Sequence, residues 1–160
     1  MLSIHERCTM SVKAWIRDFA ILLARLVVGV VFMAHGWQKL SINGIDAIAG
    51  GFGQVGIPMP VVAAWSVSLV ELIGGAALIL GAATPIAALL LVADMAGAYW
   101  FVHMGNGIFV DQGGFELVGA LAAACLILAA VGAGRYSVDG LVLRRRRRKT
   151  VKSGSTSARV

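Results

Sequence analysis

The chain has 160 residues, 59% of them hydrophobic and 14% charged, with a mean hydropathy of +0.85. That composition excludes an ordinary soluble domain and marks a small integral membrane protein. The net charge of +6 could suit nucleic acid, but the cations crowd into the two ends of the chain beside membrane segments, so no nucleic-acid partner is expected.

Residues 1–18 form a basic lead with Arg7, Lys13 and Arg17. Four apolar stretches follow, over about 19–40, 61–81, 85–104 and 115–133. Each can cross a hydrocarbon core of roughly 30 Å as a helix, and all are too long and uniformly apolar for barrel strands. A cleaved signal peptide is not expected, because Arg25 interrupts the first stretch and no Ala-x-Ala-type site follows it. The expected fold is all-α, a four-transmembrane-helix bundle over 19–134 followed by a basic, largely disordered tail over 135–160.

Between the first two stretches, Ser41 to Pro60 reads as a turn-rich external loop. Its Gly50-Gly51-Phe52-Gly53 run lacks the Gly-Lys-Ser/Thr and the preceding strand of a phosphate loop. Phe52, Val55 and Ile57-Pro58 are expected to fold back onto the bundle mouth. The lead holds three Lys or Arg and residues 135–160 hold nine, whereas the inter-helix loops hold none. Both termini are therefore expected in the cytoplasm of a multi-pass protein of the cell (plasma) membrane, and an even number of spans agrees. The run Arg144 to Lys149 serves as a topology signal and could also meet anionic lipid.

Ionisable residues inside apolar helices carry the functional signal. At about 100° per residue, Arg25 and Lys39 lie some 40° apart on one face of the first helix, roughly 21 Å apart along it. Glu71 and Asp94 each sit about ten residues into their helices and, with Arg25, are expected to form a buried charge network at the midplane. A second candidate cluster, for a ligand or proton, comprises His35, Lys39, His103 and Glu116 near the mouth, with Trp37 and Trp100 available to a ring. His103 is nine residues past Asp94, half a turn around the same helix, so it is expected to point away from that cluster. For that reason a bis-histidine haem site is not expected, nor is any metal centre. Cys8 and Cys125 lie at different depths and form no Cys-x-x-Cys, so the chain has no visible redox centre of its own.

Several of these residues recur in an order that resembles the DoxX family. They are Arg25, His35-Gly36, Lys39-Leu40, Gly56-Ile57-Pro58, Glu71 with Gly74-Gly75-Ala76-Ala77-Leu78, Gly81, Thr84, and the closing Gly134, Ser137 and Asp139. The resemblance spans about Phe19 to Leu141. It implies a four-helix membrane protein linked, through some relatives, to quinone-coupled sulfur oxidation and to thiol or oxidative-stress defence, commonly in complexes.

Three functions follow as expectations. The first is a membrane subunit of a redox system that binds a quinone or other small substrate. The second is a scaffold that docks soluble oxidoreductases at the cytoplasmic face. The third is a small transporter with Arg25, Glu71 and Asp94 lining its path. Catalytic residues are not assignable from the sequence, and a homo-oligomer stays open.

Overall fold

A computed structural model describes residues 4–143, with side chains from residue 12. The cationic run Arg144 to Lys149 lies outside the described residues, and the side chain of Cys8 is likewise not described.

The described chain is helical and contains no strand. Helix α1 spans Ile4–Trp37 and continues as a π-helical turn over Gln38–Asn43, which Gly44 ends at φ 80°. Helix α2, Ile45–Gln54, replaces much of the expected turn-rich loop. Ile45, Ile48, Ala49 and Phe52 fall at i, i+3, i+4 and i+7, so the segment has one apolar face, and that face packs on α3. This packing outweighs the roughly 1 kcal/mol that each of Gly50, Gly51 and Gly53 costs a helix interior.

Helix α3, Pro60–Leu80, starts with proline at its first position, where no intrahelical donor is lost, and stops at Gly81. Helix α4, Thr84–Ala98, carries Pro85 at its second position, where again no intrahelical donor is lost, and runs into a second π-helical turn over Tyr99–His103. A short 3-10 turn at Val110–Gln112 precedes α5, Glu116–Val131, and a further helical turn covers 138–143. Three helical stretches, Val12–Asn43, Pro60–Leu80 and Thr84–His103, are long and apolar enough to cross a membrane. Helix α5 is a shorter apolar helix of 16 residues, about 24 Å at 1.5 Å per residue.

In the bundle α1 lies along α3, α3 along α4 and α4 along α5, with α5 touching α1. Its centre is filled by Val28, Phe32, Leu78, Leu91, Cys125 and Leu128. The outward faces carry Val27, Ile73, Leu89 and Ile127, apolar side chains that suit a lipid solvent.

Close backbone contact sets the register of α1 on α3. A Cβ on Gly75 would fall 2.6 Å from the carbonyl oxygen of Gly29, and one on Gly36 would fall 2.8 Å from that of Ser68. Gly36 sits between Ser68 and Leu72, and Gly75 between Gly29 and Met33, which defines one antiparallel register with residue n of α1 level with about residue 106 − n of α3. Small residues at such crossings give van der Waals contact where lipid supplies no hydrophobic drive.

Candidate functional site

That register puts Arg25 level with about position 81, where α3 ends, and the guanidinium is spent there. Its Nε donates to the carbonyl of Leu78 at 2.8 Å, Nη2 to that of Ile79 at 3.0 Å, and Nη1 to those of Ala133 and Tyr136, the latter at 3.0 Å. The last carbonyls of a helix have no intrahelical partner, and a cation also complements the negative end of the helix dipole. Arg25, only 1% exposed, thus ties α1 to the end of α3 and to the turn after α5. Gly81 completes the joint. It stands at φ 67°, and a Cβ there would lie 2.6 Å from Arg25 Nη2.

The Gly134, Ser137 and Asp139 segment closes the same end. Asp139 accepts from the backbone N–H groups of Ala83 at 2.9 Å and Thr84 at 3.0 Å, while its own N–H donates to the carbonyl of Gly81. It therefore caps α4 from 55 residues away. Ser137 Oγ accepts from the N–H of Gly140 and donates to the carbonyl of Gly134.

The expected network of Arg25 with Glu71 and Asp94 is thus corrected. Arg25 turns to carbonyls at one end of the bundle, whereas the two carboxylates face the other. Glu71 pairs with Lys39, Nζ to Oε2 at 2.5 Å, with side chains 20% exposed for the lysine and 4% for the glutamate. Lys39 is level with about position 67, so it reaches some four residues, about 6 Å, along α3 to make this pair. Its long stem permits that reach. The separation also removes the single charged path of Arg25, Glu71 and Asp94 that the transporter expectation used.

Around the Lys39–Glu71 pair lies a cavity of about 530 Å³, within the usual range for small-molecule sites. Phe32, Phe52 and Phe101 contribute aromatic wall, and His35, Lys39, Glu71, Asp94 and His103 contribute its polar groups. Ile57 also reaches the cavity, while Val55 is exposed. Lys39 and Glu71 are the charges acting on Asp94, whose Oδ2 is buried without a hydrogen-bond partner.

Both histidines are held the same way. Nδ1 of His35 donates to the carbonyl of Val31 at 2.9 Å, and Nδ1 of His103 donates to that of Gly113 at 2.6 Å. A carbonyl only accepts, so in the neutral ring Nδ1 carries the hydrogen and Nε2 is left as an acceptor. His103 faces the cavity despite its nine-residue spacing from Asp94, because Tyr99–His103 is π-helical and its wider turn advances less per residue. Sequence reading assumed one continuous α-helix and missed this.

Three residues of the expected mouth cluster lie elsewhere. Glu116 is exposed, and its Oε1 accepts from the N–H of Val110, which fixes the loop before α5. Trp37 and Trp100 are 58% and 63% exposed and do not line the cavity. In their place Asp94 and Glu71 join His35, Lys39 and His103. A hint was available: helices α3 and α4 bring both carboxylates to the depth that the C-terminal third of α1 reaches.

Several long apolar helices, sealed by backbone contacts at one end and opening toward the other a mostly apolar cavity that a few ionisable groups reach, define a multi-pass helical membrane protein with a small-molecule-sized site. The chain belongs to the DoxX family, whose model, described as DoxX, matches residues 20–104. An uncharacterized protein of Haemophilus influenzae is 36% identical over 126 residues, 77% of this chain and 90% of its own length. The Bacillus subtilis protein named "Putative oxidoreductase CatD" is 28% identical over 141 residues, 88% of this chain and 96% of its own. The inner membrane protein YphA of Escherichia coli is 29% identical over 129 residues, covering 77% and 90%. No solved structure matches the chain.

Proposed function

We propose that this DoxX protein is the membrane-embedded, ligand-binding subunit of a redox system, and that it holds a quinone in the cavity at the Lys39 end. The observation that carries the reading is the unpartnered Asp94 Oδ2 beside an aromatic-walled cavity. Leaving a buried polar atom unpaired costs on the order of 1–3 kcal/mol, which a ligand's polar group would relieve. A quinone head fits the lining, since its flat ring suits Phe32, Phe52 and Phe101 and its oxygens suit the polar groups of the wall. Bound there, a quinone would supply the electron chemistry that the chain's own residues lack. His35, His103 and Asp94 would orient it and exchange protons with its oxygens. The oxidoreductase name of CatD supports the redox class.

In the same reading α5 completes a fourth crossing and both termini lie in the cytoplasm, which the basic residues at both ends support. There the tail meets anionic lipid and soluble oxidoreductases dock. Reporters fused after Val160 and inserted at Gly51 should then report opposite sides of the membrane; the same side for both would refute the topology.

The binding test uses the purified protein in nanodiscs and equilibrium titration with ubiquinone-1 in each redox state. Saturable, stoichiometric binding of at least one form is expected. Gly97 lines the cavity and has open space where a Cβ would stand, so Gly97→Leu should abolish binding with helix content unchanged. No binding to the wild-type protein, or undiminished binding to Gly97→Leu, would refute the reading.

A further inference from the structure

The wall of the cavity reaches the lipid-facing surface of α4. Ala93 is nine residues past Thr84, half a turn around the helix from that fully buried residue, and it is exposed one turn beyond the equally exposed Leu89 and Leu90. Ala93 nevertheless lines the cavity, together with Gly97 and Phe101 from the same helix and Ala63 and Val67 from α3. Phe101 is 41% exposed, and a Cβ on Gly97 would meet nothing within 4 Å. Toward the Arg25 end the same two helices are closed, since a Cβ on Gly74 would already lie 3.1 Å from Leu91. Helices α3 and α4 thus part to leave a side window. It sits at hydrocarbon depth, because Ala93 is near the middle of Thr84–His103, a stretch of 20 residues that is about 30 Å long as a helix.

Such a window decides what fills the space behind it. The lining is mostly apolar, so water gains few partners there, and an empty space would cost the wall its dispersion contacts. The apolar molecules most abundant at the window are the chains of the bilayer itself. We infer that one acyl chain of a phospholipid, from the leaflet on the Lys39 side, enters the cavity through the window between α3 and α4 and packs along Val67, Phe101 and Leu121. Its headgroup stays at the membrane surface, and no ionisable group of the wall takes part in holding it. This occupancy is therefore independent of the quinone reading. The cavity is loaded from the membrane and not from water, and a polar ligand taken at the Lys39 end displaces the chain or leaves an apolar tail of its own in the window.

Photo-crosslinking of the full chain tests this, in phosphatidylcholine nanodiscs containing a phosphatidylcholine with a diazirine at the middle of one acyl chain, with adducts mapped by peptide mass spectrometry. In the wild-type protein, adducts are expected on the interior residues Asp94 and Leu121 as well as on the lipid-facing Ile73 and Leu89. Ala93→Trp covers the window from the lipid side, and Gly97→Leu fills the space behind it. Each should remove the interior adducts and keep those on Ile73 and Leu89, with helix content unchanged. Interior adducts absent from the wild type, or retained in Gly97→Leu, would overturn the lipid occupant. Interior adducts lost in Gly97→Leu but retained in Ala93→Trp would overturn the window. Ubiquinone-1 titration reads the quinone site separately, so either can fail without the other.

Discussion

Replacing Arg25 by alanine tests which end of the bundle the arginine belongs to. The guanidinium donates four hydrogen bonds to carbonyls from four residues on two separate segments, and it is 1% exposed. Bonds to a charged group contribute about 1.5–3 kcal/mol each when removed singly, but the four share one donor group and are not additive. Leaving buried carbonyls without their donor costs about 1–3 kcal/mol each, so a loss of about 3–5 kcal/mol is expected for Arg25→Ala. Arg25→Lys keeps the charge but has three donors on one atom, which cannot span carbonyls on either side of a planar fork, so roughly half of that loss should remain. Unfolding of the purified protein in mixed micelles of increasing denaturing-detergent fraction, followed by circular dichroism, reads both values. Glu71→Gln is the discriminating second change. If Arg25 neutralised the midplane carboxylates, Arg25→Ala with Glu71→Gln would regain stability. Because Glu71 pairs with Lys39 instead, the double variant should be no more stable than Arg25→Ala. Recovery in the double variant, or a loss below about 1 kcal/mol in the single one, would refute the carbonyl clamp.

Gly75→Ala forces a methyl group against the backbone of α1, which cannot move aside as a side chain can, so a loss of about 1–3 kcal/mol is expected by the same unfolding assay. Gly50→Ala, with open space around its Cβ, should be neutral or gain up to about 1 kcal/mol. Asp139→Ala removes the acceptor for two backbone N–H groups at the start of α4 and should cost about 1–2 kcal/mol; unchanged stability would show that solvent or lipid headgroups replace the cap. Lys39→Met leaves Glu71 buried without its cation, so it should destabilise more than Lys39→Met combined with Glu71→Leu, measured as a double-mutant cycle.

The apolar blocks made the helices legible, because in lipid a spanning segment must satisfy its backbone internally and few alternatives exist. Helix α2 was hidden by its glycines, whose turn preference is a local signal that packing of Ile45, Ile48, Ala49 and Phe52 overrode. The placement of Arg25 was misread for a different reason. Charges were matched to charges, whereas the strongest unsatisfied acceptors near Arg25 were neutral carbonyls at helix ends. Counting depth along the hairpin would have corrected this. Arg25 is 15 residues before Leu40, and the same distance into α3 from Pro60 reaches Gly75, already one turn past Glu71. No count on the sequence would have revealed the π-helical turns, since widening of a helix depends on what packs around it.

Those two turns explain why the ends of the bundle differ. At the Arg25 end every device closes backbone: the guanidinium takes carbonyls, Asp139 takes N–H groups, and Gly81 lets them meet. At the other end α1 and α4 each leave α-helical geometry, over Gln38–Asn43 and Tyr99–His103, and each widened turn carries one polar residue of the cavity, Lys39 and His103. A regular helix would carry His103 half a turn away from Asp94. The departures therefore spend backbone regularity to bring ionisable groups to one cavity, and they recur in both helices that supply such groups from their C-terminal ends. Departures of this kind are common at functional sites, where geometry that costs stability is kept for the groups it places. An end closed by these backbone contacts and holding four helices in register is what allows the opposite end to keep Asp94 Oδ2 unpartnered and the cavity open without the bundle collapsing into it.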